Sequence, residues 1–248
     1  MRQPNARGRF ASEAPRAARE FATFLAARRG FLSGPKGDGR PILVLPGFIG
    51  SDGSTLALRR LLRALGYHVH AWRLGRNLGP TDRIIGGLRE RVRGLVIEHR
   101  QPLTLIGHSL GGVYSREIAR SAPEVVRQVI TLGSPFRRPG RAISPVSPLF
   151  HALSPLHSEN ARNADPDALL RPLPVPLTAI FTKTDGVVPW KICIPDPGKR
   201  VEAIEVQGSH SGLIHNPAAV AVILDRLQEK RWHPFEERED VAATIYRP

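Results

Sequence analysis

The sequence has little cysteine and no long apolar run. Cys193 is the single cysteine among 248 residues, so the chain can form no internal disulfide, Cys-rich zinc site or CxxC redox pair. Its uncharged stretches, such as Gln101 to Tyr114, contain polar residues and glycines, and none approaches the about 18 to 20 apolar residues of a membrane span. Residues 1 to 30 carry arginines throughout and lack the apolar core of a secretory signal. We therefore expect a soluble, cytoplasmic protein.

Aromatic residues and negative charges are also scarce. Lysine and arginine number 36 against 22 acidic residues, which gives a formal net charge of +14. Such a charge attracts polyanions and anionic lipid surfaces. Nucleic-acid binding would also call for aromatic residues among the basic ones, yet only 6% of the residues are aromatic and no DNA- or RNA-binding module is recognisable. We predict no nucleic-acid partner and attribute the charge to an arginine-rich, solvated surface.

The first forty residues form a basic segment ahead of the first predicted strand. Residues 1 to 40 hold nine basic and three acidic residues. Between Ala14 and Arg29 apolar residues recur at helical spacing among the arginines, and Gly30 follows as a stop signal. The pattern predicts a short amphipathic helix, then a Gly/Pro-rich linker from Ser33 to Pro41. Such a helix either packs on the domain, which is the commoner case, or lies on an anionic membrane surface.

Residues 41 to 230 alternate between apolar strands and amphipathic helices. Parallel strands that are buried on both faces form near-continuous apolar runs, and helical crossovers connect them. The pattern therefore predicts one α/β domain with a mostly parallel central sheet flanked by helices. The predicted strands are Ile42–Leu45, Tyr67–Trp72, Leu103–Ile106, Val126–Leu132, Leu177–Phe181 and Val201–Val206, and the predicted helices are Thr55–Leu65, Asp82–Glu98, Leu110–Arg120 and Pro217–Lys230.

Two segments depart from this alternation. Residues 135 to 176 contain nine of the 23 prolines, a density that prevents long regular elements. Compact domains seldom carry a connection of this length without a role, so we predict a lid over the sheet edge rather than a disordered insertion. The tail, residues 231 to 248, is charged throughout between Glu236 and Asp240 and is predicted to be peripheral.

One glycine-rich motif lies at a strand-to-helix junction. The pattern G-x-S-x-G spans Gly107 to Gly111, directly between a predicted strand and a predicted helix. A serine at such a turn has a strained backbone that holds its hydroxyl above the sheet. The helix behind it directs its N-terminus at any anion that forms beside Ser109. The pattern predicts that Ser109 is a nucleophile; the alternative is a plain turn in which Ser109 caps the helix.

This motif resembles the nucleophile turn of the α/β-hydrolase superfamily, in particular its lipase and esterase-like members, and the resemblance extends from about Ile42 to Lys230. It implies an oxyanion hole made by two backbone N–H groups. Leu110, the residue after the nucleophile, supplies one. The loop Pro46–Gly50 follows the first strand and looks like the family's oxyanion loop, which places the second donor on Phe48. Many lipases have His-Gly where this chain has Pro-Gly, and this departure leaves the backbone donor intact because Phe48 is not a proline.

The serine needs a base and an acid. A serine hydroxyl becomes nucleophilic when a histidine accepts its proton and a carboxylate orients that histidine. His210 lies in a glycine-flanked loop after the last strand, where the family's catalytic histidine is found, whereas His215 is interpreted as structural. Asp185 follows the strand Leu177–Phe181 and looks like the family's acid. His108 is expected to pack beside the nucleophile rather than act as a base.

Further residues are assigned to the substrate pocket. Ser134 ends the strand after the nucleophile helix, where similar segments of relatives form the pocket wall, and it is interpreted as a turn residue rather than a catalytic one. The lid residues expected to contact substrate are apolar: Leu149, Phe150 and Leu153. No cofactor and no metal are predicted, because His68 and His70 alternate along one strand and two ligands alone do not make a metal site.

Together these residues predict a serine hydrolase. It would cleave a small-molecule carboxylic ester through an acyl-enzyme on Ser109, with His210 as the base and Asp185 as the residue that orients it. Acyl transfer and the hydrolysis of thioesters or lactones use the same constellation, and the sequence does not separate them. The alternative of another class is a catalytically silent binding protein with the same fold, against which the intact set of residues argues.

Overall fold

The computed structural model describes residues 6–137, 145–162 and 171–228. Its six strands are β1 (Pro41–Leu45), β2 (His68–Ala71), β3 (Leu103–His108), β4 (Val126–Leu132), β5 (Leu177–Phe181) and β6 (Val201–Glu205). They form one parallel sheet in the order β2-β1-β3-β4-β5-β6. All six strands were predicted, and the predicted α/β fold with a parallel sheet is confirmed.

The α-helices of the described residues are α1 (Ala6–Ala11), α2 (Glu13–Ser33), α3 (Leu56–Ala64), α4 (Asp82–His99), α5 (Leu110–Ser121), α6 (Ser147–Ala152), α7 (Glu159–Arg162) and α8 (Pro217–Gln228). The long crossover helix α4 shows how local sequence sets such bounds. The Thr81 hydroxyl accepts the Ile84 N–H at its start, and Arg100 adopts a left-handed conformation with φ of 52° at its end. The three helices predicted between strands and the predicted closing helix are present in the structure.

Two apolar clusters lie on opposite faces of the sheet. One packs β-strand side chains against α2, α3 and α8, and the other packs them against α4 and α5. Strand residues alternate between the two: Ile42 and Val44 face the first cluster, whereas Leu43 and Leu45 face the second. All four are fully buried. Because each buried Leu, Ile or Val stabilises the fold by about 1.5–3 kcal/mol, the sheet is held from both sides.

The N-terminal helix is longer than predicted. The sequence analysis ends it before Gly30, but α2 continues through Gly30 to Ser33. Phe31 and Leu32 pack against the core cluster that contains the buried Phe24, and this burial outweighs the low helix propensity of glycine. The helix therefore packs on the domain; contact with an anionic membrane surface stays a prediction.

The proline-rich segment forms only short elements where the structure describes it. Between residues 145 and 162 these are α6, the 3-10 turn Ser154–Leu156 and α7, none longer than six residues. Residues 138–144 and 163–170 of the predicted lid lie outside the described part, as do the tail 231–248 and the last two residues of the predicted closing helix. No helix in the described residues is long and apolar enough to cross a membrane.

Candidate active site

Ser109 lies at a strained turn between β3 and α5. Its φ of 51° and ψ of −120° fall in a region that non-glycine residues avoid. The turn is held because the Ser109 N–H donates to the Leu132 carbonyl of β4 at 2.8 Å. The Ser109 side chain is half-buried at the carboxyl edge of the sheet, where the ends of parallel strands place binding sites. This is the geometry expected of the nucleophile turn.

Glycine is required beside this serine for space. A Cβ on Gly111 would lie 2.4 Å from the Leu45 carbonyl oxygen, and a Cβ on Gly47 would lie 3.1 Å from the Ser109 Cβ. The first distance is shorter than any real Cβ contact, so α5 can approach β1 only without a side chain at residue 111. The close approach at Gly47 brings the loop after β1 against Ser109. The glycines thus fix the distance between the turn and the predicted oxyanion loop.

Asp185 and His210 form a buried pair on the neighbouring strand ends. Asp185 follows β5, His210 follows β6, and His210 Nδ1 lies 2.7 Å from Asp185 Oδ2. Asp185 Oδ1 accepts the N–H groups of Val187 and Val188 at 2.7 and 2.6 Å. The carboxylate therefore cannot rotate freely, and it holds Nδ1 as the protonated ring nitrogen of His210. This leaves Nε2 as the nitrogen with a free lone pair.

The electrostatics of His210 are set by opposing effects. Burial disfavours the charged imidazolium, but the charge and hydrogen bond of Asp185, helped by the charge of Glu13, raise the pKa of His210 above 6.5. The neighbouring His108 has no such carboxylate partner. Burial, together with the nearby His210, lowers the pKa of His108 to about 3. His108 is therefore neutral near pH 7.

His108 connects the nucleophile turn to the His210 loop. Its Nε2 donates to the His210 carbonyl at 2.9 Å, and the two rings lie 5.1 Å apart. Because His108 immediately precedes Ser109, this contact brings the serine and His210 to the same end of the sheet. No hydrogen bond joins the Ser109 hydroxyl to His210 within the described residues, and in sites without substrate such bonds are often long. His108 thus packs beside Ser109, as its place in the glycine-rich motif predicts.

The predicted oxyanion loop is held in place by Asn77. The fully buried Asn77 side chain donates to the Pro46 carbonyl at 2.9 Å, and its backbone exchanges hydrogen bonds with Ile49 and Gly50. Its side-chain oxygen accepts the Tyr114 hydroxyl of α5 at 3.2 Å. Asn77 thus connects the loop to the nucleophile helix. Nothing in the sequence marks this asparagine, which lies in an irregular Gly/Pro-containing segment.

The two predicted oxyanion donors, Phe48 and Leu110, flank the nucleophile turn. Neither backbone N–H donates to an acceptor within the described residues. Leu110 is the first residue of α5, so its N–H group has no partner inside the helix. An oxyanion that forms beside Ser109 therefore meets unpaired donors and the positive end of a helix dipole. Their assignment to the oxyanion hole stays a prediction.

Two acidic residues of α2 hold the loops that carry His210 and Asp185. The buried Glu13 accepts the N–H groups of Gly186, His210 and Ser211 at 2.8, 3.1 and 3.0 Å. Glu20 accepts the Ser209 N–H at 2.7 Å. The sequence analysis assigns this segment no part in the site. The signal was present, because the only two acids of the helix stand seven residues apart, on one face.

Ser134 and the lid residues occupy different places around the site. Ser134 is buried behind the nucleophile turn, with its hydroxyl 3.4 Å from the Gly107 carbonyl, a position that supports the turn. The Phe150 ring meets the Phe48 ring edge-on, with centroids 5.2 Å apart, so α6 lies over the predicted oxyanion loop. Leu153 is half-buried and Leu149 is 45% exposed. Contact of these four residues with substrate stays a prediction.

Comparison with known proteins identifies the architecture. No protein-family model matches the chain, and no curated protein is significantly similar in sequence. A structure described with the metagenome-derived lipolytic enzymes LipS and LipT is 17% identical, with a TM-score of 0.60, covering 78% of this chain and 95% of the other. The Paleococcus ferrophilus monoacylglycerol lipase is 15% identical, with a TM-score of 0.54 and coverages of 77% and 96%. MGS-MChE2, an alpha/beta hydrolase enzyme from a lagoon-sediment metagenome, is 19% identical, with a TM-score of 0.52 and coverages of 77% and 91%.

Proposed function

The chain has the α/β-hydrolase fold, and on this premise we propose that it hydrolyses carboxylic esters through an acyl-enzyme on Ser109. One observation carries the proposal: a serine with a φ of 51° at a strand-to-helix turn shares the sheet edge with a histidine whose Nδ1 is bound by a buried aspartate. A fold alone does not decide an activity. A strained serine beside a His–Asp pair, however, is the arrangement that makes a serine hydroxyl attack an acyl group.

The reaction follows from the protonation states. His210 Nε2 accepts the Ser109 proton while the serine oxygen attacks the ester carbonyl, and Asp185 stabilises the imidazolium that results. The tetrahedral oxyanion accepts hydrogen bonds from the Phe48 and Leu110 N–H groups. His210 then protonates the leaving alkoxide, which leaves the acyl group on Ser109. Water activated by the same imidazole hydrolyses this acyl-enzyme and restores the serine.

The substrate class is an ester with an uncharged acyl chain. The surroundings of the predicted oxyanion loop support this assignment, because Phe150 covers Phe48 and the preceding side chain of α6, Leu149, is apolar. His157, whose ring centroid lies 4.7 Å from that of Phe150, is buried and bonds the Leu78 carbonyl at 3.3 Å through Nε2. A charged acyl group would lose part of its hydration against these apolar side chains.

A fluorophosphonate probe tests the proposal. We expect the probe to label Ser109, and Ser109→Ala to abolish labelling and to lower kcat for a p-nitrophenyl ester by at least about a thousandfold. Ser121→Ala is the matched control, because Ser121 lies at the exposed end of the same helix, and it should retain both labelling and activity. Labelling of another serine, or full activity of Ser109→Ala, would contradict the assignment.

A further inference from the structure

A histidine-rich cluster lies at the opposite edge of the sheet from β6, where β2 is the edge strand. His70 of β2 and His99 of α4 direct their Nε2 atoms at one another, 2.8 Å apart. Glu98 Oε1 lies 3.6 Å from His99 Nε2, and the three ligand atoms all lie within 4.8 Å of one another. Strand β2 and the end of α4 thus bring three potential ligand atoms close together.

The fold explains why these side chains meet. His70 pairs with Leu43 of β1 and shares the sheet face that α4 covers. Helix α4 ends at His99, where the left-handed Arg100 turns the chain toward β3, so its last turn stops over the edge strand. The sequence of β2 alone provides His68 and His70. The end of α4 adds Glu98 and His99. The His68 ring also lies 5.2 Å from the His99 ring.

On these contacts we propose that His70, His99 and Glu98 bind a divalent metal ion of the zinc type. Two imidazoles and a carboxylate are donors that suit such ions. Metal–nitrogen bonds of about 2.0–2.1 Å place neighbouring nitrogens about 2.9–3.4 Å apart, so the two Nε2 atoms need to separate by only a few tenths of an ångström. The Nε2–Nε2 hydrogen bond also requires that one ring be neutral, with a lone pair already facing the site.

The surroundings set the strength and the role of the site. Arg63 and Arg91 donate to the carbonyls of Val69 and Ala71, on either side of His70, and their charges oppose a cation. Glu98 supplies the opposing negative charge, and its side chain is 60% exposed, which leaves the ion open to water. None of the three ligands belongs to the candidate active site. A bound ion would connect the edge strand β2 to α4 and stabilise the folded chain.

Zinc titration of the protein without an affinity tag tests the site. We expect calorimetry to show one bound Zn²⁺ per chain, and Zn²⁺ to raise the melting temperature, with no such effect from Mg²⁺, which prefers oxygen ligands. His70→Gln and His99→Gln should each weaken Zn²⁺ binding by at least about tenfold. His151→Gln, which changes an exposed histidine of α6, is the matched control and should bind Zn²⁺ normally.

Glu98→Gln keeps the proposal testable if a histidine variant does not fold. It removes the charge of an exposed side chain and leaves the His70–His99 contact intact, so the variant should fold and bind Zn²⁺ more weakly. Absence of Zn²⁺ binding to the wild-type chain would overturn the proposal. Equal affinity of the wild type and Glu98→Gln, with equal affinity of whichever histidine variants fold, would overturn it as well.

Discussion

The two halves of the candidate active site are built in different ways. The nucleophile turn is assembled from neighbours in sequence, since Gly107 to Gly111 contain the serine and the glycines that give it space. The Asp185–His210 half is assembled from distant parts of the chain, and Glu13 lies 197 residues before the His210 N–H that it accepts. The turn at Ser109 is therefore encoded locally. The Asp185–His210 pair depends on α2, a helix that precedes the alternating strands and helices in the chain.

The largest effect should come from breaking the pair itself without disturbing its shape. In Asp185→Asn the amide oxygen can still accept the N–H groups of Val187 and Val188, but the amide nitrogen faces His210 Nδ1 and favours the wrong tautomer. We expect kcat to fall by about 10³–10⁴-fold, measured by steady-state ester hydrolysis. Asp196→Asn, which changes an exposed acid paired with Arg137, should retain activity. Comparable losses in both variants would argue against a special role for Asp185.

Glu13→Gln tests the support given by the N-terminal helix. The amide loses the charge, and if its oxygen keeps the bonds from Gly186 and His210, its NH₂ group faces the Ser211 N–H, another donor. Small displacements of catalytic groups are costly, so we expect kcat to fall by up to about 100-fold, with little change in KM. Circular dichroism should confirm that the variant is folded. Glu90→Gln on the exposed face of α4 is the control. Equal activity of both variants would show that the Glu13 carboxylate is not needed to position His210.

The pH dependence of kcat/KM tests how Glu13 acts on His210. His210 must be neutral to accept the serine proton, so kcat/KM should rise with pH through its pKa, which Asp185 and Glu13 hold above 6.5 against the effect of burial. Removing the Glu13 charge destabilises the imidazolium and lowers this pKa. The acidic limb of the Glu13→Gln profile should therefore lie at lower pH than that of the wild type. A limb that does not move would indicate that Glu13 acts on His210 only through its hydrogen bonds.

The smallest effect concerns the lid. Phe150→Ala removes the ring that covers Phe48 but leaves the pair and the turn unchanged. Each buried CH₂ of an acyl chain contributes up to about 0.8 kcal/mol, so wild-type kcat/KM should rise severalfold per step along a p-nitrophenyl ester series until the pocket is full. The variant should shift the preferred chain length and keep fluorophosphonate labelling of Ser109. An unchanged preference for acyl chain length would show that Phe150 does not line the acyl pocket.

Much of the fold could be predicted because its signals are local. The central strands of a parallel sheet are buried on both faces, and their apolar residues marked them, including Val126–Leu132 and Leu177–Phe181 with their correct ends. The end of α2 was missed at Gly30, because only packing of Phe31 and Leu32 against the core shows that the helix continues. Helix propensity alone favours a stop there.

The residues of the candidate site also differ in whether their signals are local. Ser109 and its glycines follow from a contiguous motif, because backbone strain and close approach are properties of neighbouring residues. Glu13 and Asn77 were missed, since a buried carboxylate in an arginine-rich helix and an asparagine in a loop look like solvated residues until their partners are known. A hydrogen bond requires a partner within about 3 Å, and sequence spacing does not report that distance.

The sequence by itself determined the alternating α/β chain, its parallel sheet and the turn that strains Ser109, because each depends on apolar periodicity or on adjacent residues. Only the tertiary structure decided that Asp185 binds His210, that α2 holds their loops with Glu13, and that His99 meets His70. Hydrogen bonds act over a few ångströms in space, and only the packing of strands and helices sets which distant residues come that close.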